Sequence, residues 1–324
     1  MTPTLASQSA PIWSWPQGAK LALTVVVNVE EGSEYTVADG DPMPEPVDEL
    51  GVVIKRPLRM HGNESNYRYG IQEGAPRVLA LLQAHGIRAT WTAAALSLER
   101  APDLAKALTS RARDQGDEIC SHGWRWVHQF GLNEADERAF IQRAADSLQR
   151  STGQRPVGWL SRYLHTEHTR RLLQEEGFVY HMDDYSADTP FWGAVPGSSR
   201  AMVIVPYALD SNDMKMWVSP AYTPDMWLKY ACDTFDTLLA EGQRDLSNAG
   251  QAPAQPRLMS LGLHLRIIGR PGRIWALRRF FEHVNRAEGV WVTTRRAVAE
   301  HFACQVPAPT TIPSTLPNSN AGAQ

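Results

Sequence analysis

Short apolar runs alternate with amphipathic stretches from Leu21 to Ala287, and this rhythm restricts the fold more than any other property of the chain. Leu21–Val29 is almost continuously apolar and rich in Val, as a strand buried on both faces must be. Ala75–His85 has helical spacing and stops at Gly86, which fits a C-terminal cap. The alternation continues through strand Ile87–Ala93, helix Pro102–Gln115 and strand Asp117–Ser121, then a helix capped by Asn133 that runs to Arg150. Strand Val157–Leu160, helix Glu167–Glu176 and strand Phe178–Met182 follow. Later strands are expected at Met202–Val205, Leu258–Leu263 and Val290–Val292, with helices near Pro224–Ala240 and Arg273–Ala287. Strand followed by helix, repeated, implies parallel strands joined by right-handed crossovers. About seven such strands predict an α/β chain folded as an irregular (β/α) barrel, closed or nearly so.

With 324 residues, one such domain accounts for most of the chain. We assign it to residues 15–304, between a flexible N-terminal segment, 1–14, and a disordered tail, 305–324, rich in Pro, Thr, Ser and Asn. Asp39–Leu50 is rich in Pro and acids and reads as a long loop over one end of the fold. Loops of that length usually cover a site. A net charge of −3 excludes the basic surface that nucleic acid or anionic lipid requires, so the expected partner is a small molecule. Cys120, Cys232 and Cys304 have no paired spacing and predict neither disulfides nor a thiolate metal site. No export signal or membrane span is visible at the N-terminus or elsewhere, which predicts a cytoplasmic protein.

In a barrel of parallel strands the site lies where the strands end. Asn28, Glu30 and Glu31 end the first strand, and Ser121 and His122 end the third. Arg162 follows the fourth, Asp183 and Asp184 end the fifth, and His264 ends Leu258–Leu263. Acids, histidines and an arginine delivered to one rim form a candidate catalytic constellation. Trp124, Arg125 and Trp126, beside His122, offer an aromatic wall for a polar ligand, which Met214 and Trp217 could extend.

These motifs resemble the polysaccharide deacetylase superfamily, within it the branch of metal-independent allantoinases and cyclic imidases, over Trp15 to Phe302. The motifs in question are Asn28-Val-Glu-Glu-Gly32, Ser121-His-Gly-Trp-Arg-Trp126, Leu261-Gly-Leu-His264 with Ile268-Gly-Arg-Pro-Gly-Arg273, Tyr67-Arg-Tyr-Gly-Ile71 and Val205-Pro-Tyr-Ala-Leu-Asp-Ser-Asn-Asp213. Metal-dependent members hold a divalent ion such as zinc with one acid of the first motif and two histidines of the second. Here Glu31 and His122 remain, but Trp126 stands at the second histidine position. Two ligands are too few for a catalytic zinc site, so no cofactor is expected; a metal would need His128 or Asp183 as a further ligand. His181 stands where the branch usually has Asp, which points to a substrate pocket unlike that of allantoinase.

The resemblance implies hydrolysis of a small cyclic or linear amide, such as an imide or ureide. Glu30 would be general base and His264 general acid, with His122 and Arg162 near the oxyanion. Of two adjacent glutamates, one is expected to have a raised pKa suited to proton transfer. The alternatives are a metal-dependent deacetylase of N-acetylated sugars and an inactive ligand-binding relative. The resemblance also implies a homo-oligomer, possible as a tetramer.

Overall fold

A computed structural model describes residues 13–47, 49, 51–218, 220–243 and 256–309. Among these residues, nine strands make one curved sheet: β1 Leu21–Val29, β2 Ala89–Ala93, β3 Glu118–Ser121, β4 Gly158–Trp159, β5 Tyr180–His181, β6 Phe191–Gly193, β7 Met202–Ile204, β8 Arg257–His264 and β9 Val290–Thr293. The spatial order is β6-β7-β5-β4-β3-β2-β1-β8, with β9 paired to β1. All pairings are parallel except β6 with β7, which is antiparallel. The sheet is therefore mixed and curls into a half-barrel, where the sequence predicted a purely parallel barrel of about seven strands. Phe191–Gly193 escaped that reading because a run of three residues is too short to carry an alternation.

The described helices are α1 His61–Tyr69, α2 Ala75–His85, α3 Ala95–Arg100, α4 Pro102–Asp114, α5 Glu134–Thr152, α6 Thr169–Glu175, α7 Pro224–Gln243, α8 Leu265–Ile268, α9 Pro271–Val284 and α10 Arg295–Gln305. Gly86 ends α2 in the left-handed region, and the Asn133 side chain accepts from the Asp136 N–H at the start of α5. No described helix is long and apolar enough to cross a membrane.

All nine residues of β1 are buried, since it is sandwiched between β8 and β2 or β9 with helices outside. Each buried Val of this strand contributes roughly 1.5–3 kcal/mol relative to exposure. The ladder also sets the level of the site. Asn28 pairs with His264, Val29 with Ala93 and Ala93 with Ser121, so β1, β2, β3 and β8 finish side by side. Below them the interior is polar: Arg295 donates to Thr24 Oγ1 at 3.0 Å and Ser260 Oγ at 2.8 Å, and Tyr180 donates to Glu118 at 2.8 Å.

The expected flexible and disordered ends, 1–14 and 305–324, lie mostly outside the described residues. Their inner margins are packed. Trp13 sits edge-on to Trp15 at 4.5 Å and to Phe302 at 5.4 Å, and the Val306 carbonyl accepts from Trp192 Nε1.

Candidate active site

Glu30 leaves the end of β1 pointing into a cavity that is partly open to solvent. Its Oε1 lies 3.4 Å from His122 Nε2 and 3.3 Å from His264 Nε2, and its Oε2 accepts from Arg266 Nη1 at 2.7 Å. Only 1% of Glu30 is exposed. Burial alone would raise its pKa; the charges of His264 and Arg266 and the hydrogen bonds from the two histidines outweigh it and hold the carboxylate ionised, well below its usual range.

Each histidine is oriented from behind. His122 Nδ1 faces the Leu160 carbonyl at 2.7 Å; a carbonyl only accepts, so Nδ1 carries the proton and Nε2 is turned toward Glu30. His264 Nδ1 meets Asp213 Oδ1 at 2.7 Å, while Asp213 Oδ2 accepts from the N–H groups of His264 and Ile268. Burial would depress His264, but the charges of Glu30 and Asp213 and the hydrogen bonds to them lift it to about 9. At neutral pH it is therefore an imidazolium, a proton donor backed by a carboxylate.

The neighbouring glutamate does something else. Successive residues leaving a strand point to opposite sides, so Glu30 and Glu31 cannot both face the cavity. Glu31 accepts from its neighbour's backbone N–H and from the Arg266 N–H, both at 3.1 Å, which places it beside the first turn of α8. Burial and the adjacent Glu30 charge raise its pKa despite Arg266. The raised glutamate is thus the one outside the cavity, and the expectation that it would suit proton transfer gives way to His264. Gly70 is required here by contact: a Cβ on it would collide with the Glu31 carboxylate.

The cavity also takes Arg162 and Trp126. Arg162 is not paired with Asp183 or Asp184; its Nη atoms grip Glu45 at 2.7 and 2.5 Å, and its guanidinium lies 3.8 Å from the Trp126 ring centroid. Glu45 belongs to the acidic Pro-rich loop, so that loop is fastened to the site wall. Arg125 fastens it a second time, through Asp41 at 2.7 and 3.1 Å and the Glu34 carbonyl at 2.7 Å, and does not line the cavity. Trp124 lies under the Arg143 guanidinium at 3.2 Å, outside the cavity. Trp217 also lies outside it, 5.4 Å from Arg266. Asp183 is held by the Ser161 N–H and His181 Nε2, and Asp184 by Arg170 and Ser186, so neither reaches the cavity. These five were expected to bind substrate and instead brace the wall and its covering loop.

Four contributors went unassigned in the sequence. Arg266 and Asp213 set the protonation of Glu30 and His264, and Glu45 holds Arg162. Tyr207 lines the cavity with its oxygen accepting from Asn28 and Asn212 at 3.1 and 3.0 Å, which leaves its own hydrogen to donate.

The residues present do not fit the divalent ion of metal-dependent relatives. Glu31 is turned away, and the fully buried Arg266 guanidinium lies 2.7 Å from Glu30 and 3.7 Å from Glu31, supplying positive charge beside both. Trp126 at the second histidine position is stacked on Arg162. His128 packs among Tyr35, Phe130 and Tyr163. Among the described residues, His165, His181 and Asp183 form another compact group of metal-ligand type. There Arg170 Nε donates to His181 Nδ1, which leaves the proton on the nitrogen facing Asp183 and removes that lone pair from any ion.

Comparison with known proteins agrees with this fold. The polysaccharide deacetylase family profile matches residues 66–180. A Schizosaccharomyces pombe protein provisionally named a polysaccharide deacetylase is 32% identical over 312 residues, covering 90% of this chain and 93% of its own. The crystal structure of the allantoinase PuuE superposes with a TM-score of 0.81 at 37% identity, covering 90% of this chain and 92% of that one. A probable polysaccharide deacetylase from Pseudomonas aeruginosa PAO1 gives 0.81 at 35% identity, covering 90% and 94%. The chain belongs to the polysaccharide deacetylase family, with an allantoinase-like structure. Its general chemistry is that of an amide hydrolase acting on non-peptide carbon–nitrogen bonds.

Proposed function

We propose that this protein hydrolyses a small cyclic or linear amide of the imide or ureide kind by acid and base catalysis without a metal ion. The observation that carries the proposal is the convergence of Glu30 Oε1, His122 Nε2 and His264 Nε2 within 3.4 Å, with His264 lifted to about 9. Glu30 takes a proton from water oriented by His122 Nε2, and the water oxygen bonds to the carbonyl carbon. The Tyr207 hydroxyl donates to the carbonyl oxygen as it gains charge; burial keeps that phenol protonated. As the carbon–nitrogen bond breaks, His264 protonates the leaving nitrogen. The proton on Glu30 then crosses 3.3 Å to His264, downhill because the first is held low and the second high, and the site is restored.

The test is turnover of hydantoins, imides, ureides, linear amides and acetylated sugars by wild type, Glu30→Gln and His264→Gln, each with and without chelator. Expected are loss of hydrolysis by about 10²–10⁴-fold in each variant and no effect of chelator. Amide turnover that survives both substitutions, or that a chelator abolishes, refutes the proposal.

A further inference from the structure

Hydrogen bonds already made by the cavity wall limit what a substrate can bring into it. Asn28 spends its two amide N–H groups on the Tyr207 oxygen and the Leu263 carbonyl, and its own oxygen accepts from the Thr92 hydroxyl. Asn212 accepts from the Met214 N–H and donates to Tyr207. Ser161 accepts from Trp159 Nε1 through its hydroxyl, and its N–H is held by Asp183. Three of the five Arg162 N–H groups are taken, by Glu45 and the Trp126 carbonyl, which leaves its Nε–H and one Nη2–H. What remains unspent is Glu30 Oε1, the two histidine Nε2 positions, the hydroxyl hydrogens of Tyr207 and Ser161, two N–H groups of Arg162 and one N–H of Asn212. That set serves a water and the reacting amide or imide group.

The rest of the wall is hydrocarbon and ring: Trp126, Leu160, Tyr163, Tyr185, Leu209 and Met214. Three of these widen outward into an apolar rim, Tyr163 at 39% exposed, Tyr185 at 46% and Leu209 at 50%. Exposed apolar side chains contiguous with a site mark a surface kept for a ligand.

We infer that the substrate carries an apolar arm, aromatic or aliphatic, beyond its reacting amide, and that Tyr163, Tyr185, Leu209 and Met214 select for it. The inference rests on the amide-hydrolase reading and sharpens it. A ureido arm brings several donors and an acceptor against the Leu209 and Met214 hydrocarbon and the tyrosine rings, where groups lose water without gaining a partner. An apolar arm of similar size loses only water contact. Despite the structural likeness to an allantoinase, the wall disfavours allantoin, whose ring bears such a ureido group.

The experiment compares matched substrates with one reacting ring and different arms: 5-ureidohydantoin against 5-phenyl- and 5-isobutylhydantoin, and phenylsuccinimide against carbamoylsuccinimide. Expected is a kcat/KM advantage of at least 30-fold for the apolar member of each pair. Leu209→Ser and Tyr185→Ser should each cut that ratio at least fivefold, mainly through KM. Equal rates within the pairs, or preference for the polar member, overturn the inference while leaving amide hydrolysis standing. Should no ring be opened, the hydrolase reading falls and selectivity is read from ligand-induced shifts in melting temperature with the same compounds. There, larger shifts from apolar members support the inference and larger shifts from polar members overturn it. If Leu209→Ser instead lowers the oligomeric mass in sedimentation and leaves the substrate ratio unchanged, the rim faces a second copy and the inference is refuted.

Discussion

Replacing Asp213 with Asn tests the electrostatic design of the site at the atom where it is most exposed to measurement. The Asp213 carboxylate holds His264 Nδ1 at 2.7 Å and takes the backbone N–H of His264 and Ile268, so the substitution removes a buried charge while keeping the side chain's shape. His264 stands at about 9 against an ordinary 6.5, which at 1.36 kcal/mol per unit is about 3 kcal/mol favouring the charged form in the folded protein. The folded-state value lies above the unfolded one, so this stabilisation is full below pH 6.5 and is lost as pH rises through about 9. A charge-assisted hydrogen bond contributes about 1.5–3 kcal/mol, so Asp213→Asn should lower the His264 pKa by about 1–2 units. NMR titration of the His264 ring reads that shift directly. On a substrate that turns over, the alkaline limb of kcat/KM should fall by the same amount, and the plateau should drop by about 10–100-fold. Urea unfolding should show the wild type losing stability between pH 6.5 and 9.5 more steeply than the variant. A wild-type His264 that titrates near 6.5, or an alkaline limb that stays put in Asp213→Asn, refutes the assignment of His264 as the charged acid.

Three further outcomes are expected. Trp126→His restores a histidine at the second family position, yet Glu31 remains turned toward α8 with Arg266 between the carboxylates; purified variant should hold well under one equivalent of zinc by elemental analysis. Stoichiometric metal would show that Arg266 yields its place readily. Glu45→Ala leaves Arg162 buried without its counter-charge and should cost about 3–5 kcal/mol in urea unfolding, with faster proteolysis of the loop it anchored. A loss under 0.5 kcal/mol would show that the loop is not fastened there. Gly70→Ala forces the Glu31 carboxylate, which the new Cβ would strike, to move, and should lower stability by about 1–3 kcal/mol, read as a fall in melting temperature.

What the sequence disclosed and what it withheld divide along one physical line. Glu30, His122 and His264 were legible because each closes or follows a buried strand, and the apolar runs that define β1, β3 and β8 fix where those strands stop. The same periodicity, carried one residue further, separates Glu30 from Glu31: alternation across a strand sends one into the cavity and the other behind it. Helices α1, α3 and α10 went unread because His61–Tyr69 is polar, Ala95–Arg100 is short, and Arg295–Gln305 follows directly on β9. Asp213, Arg266 and Glu45 lie on a single 3-10 turn, a four-residue helix and a loop, where no period accumulates. Their partners are distant in the chain, by 51 residues for Asp213 with His264, 236 for Arg266 with Glu30 and 117 for Glu45 with Arg162. Local pattern therefore reveals which groups react, because strand ends place them. It cannot reveal their protonation, because the charges that hold Glu30 low and lift His264 arrive only when the chain closes. The proposed chemistry needs both: three converging groups without Asp213 and Arg266 would be a hydrogen-bonded cluster with no bias in where its proton rests.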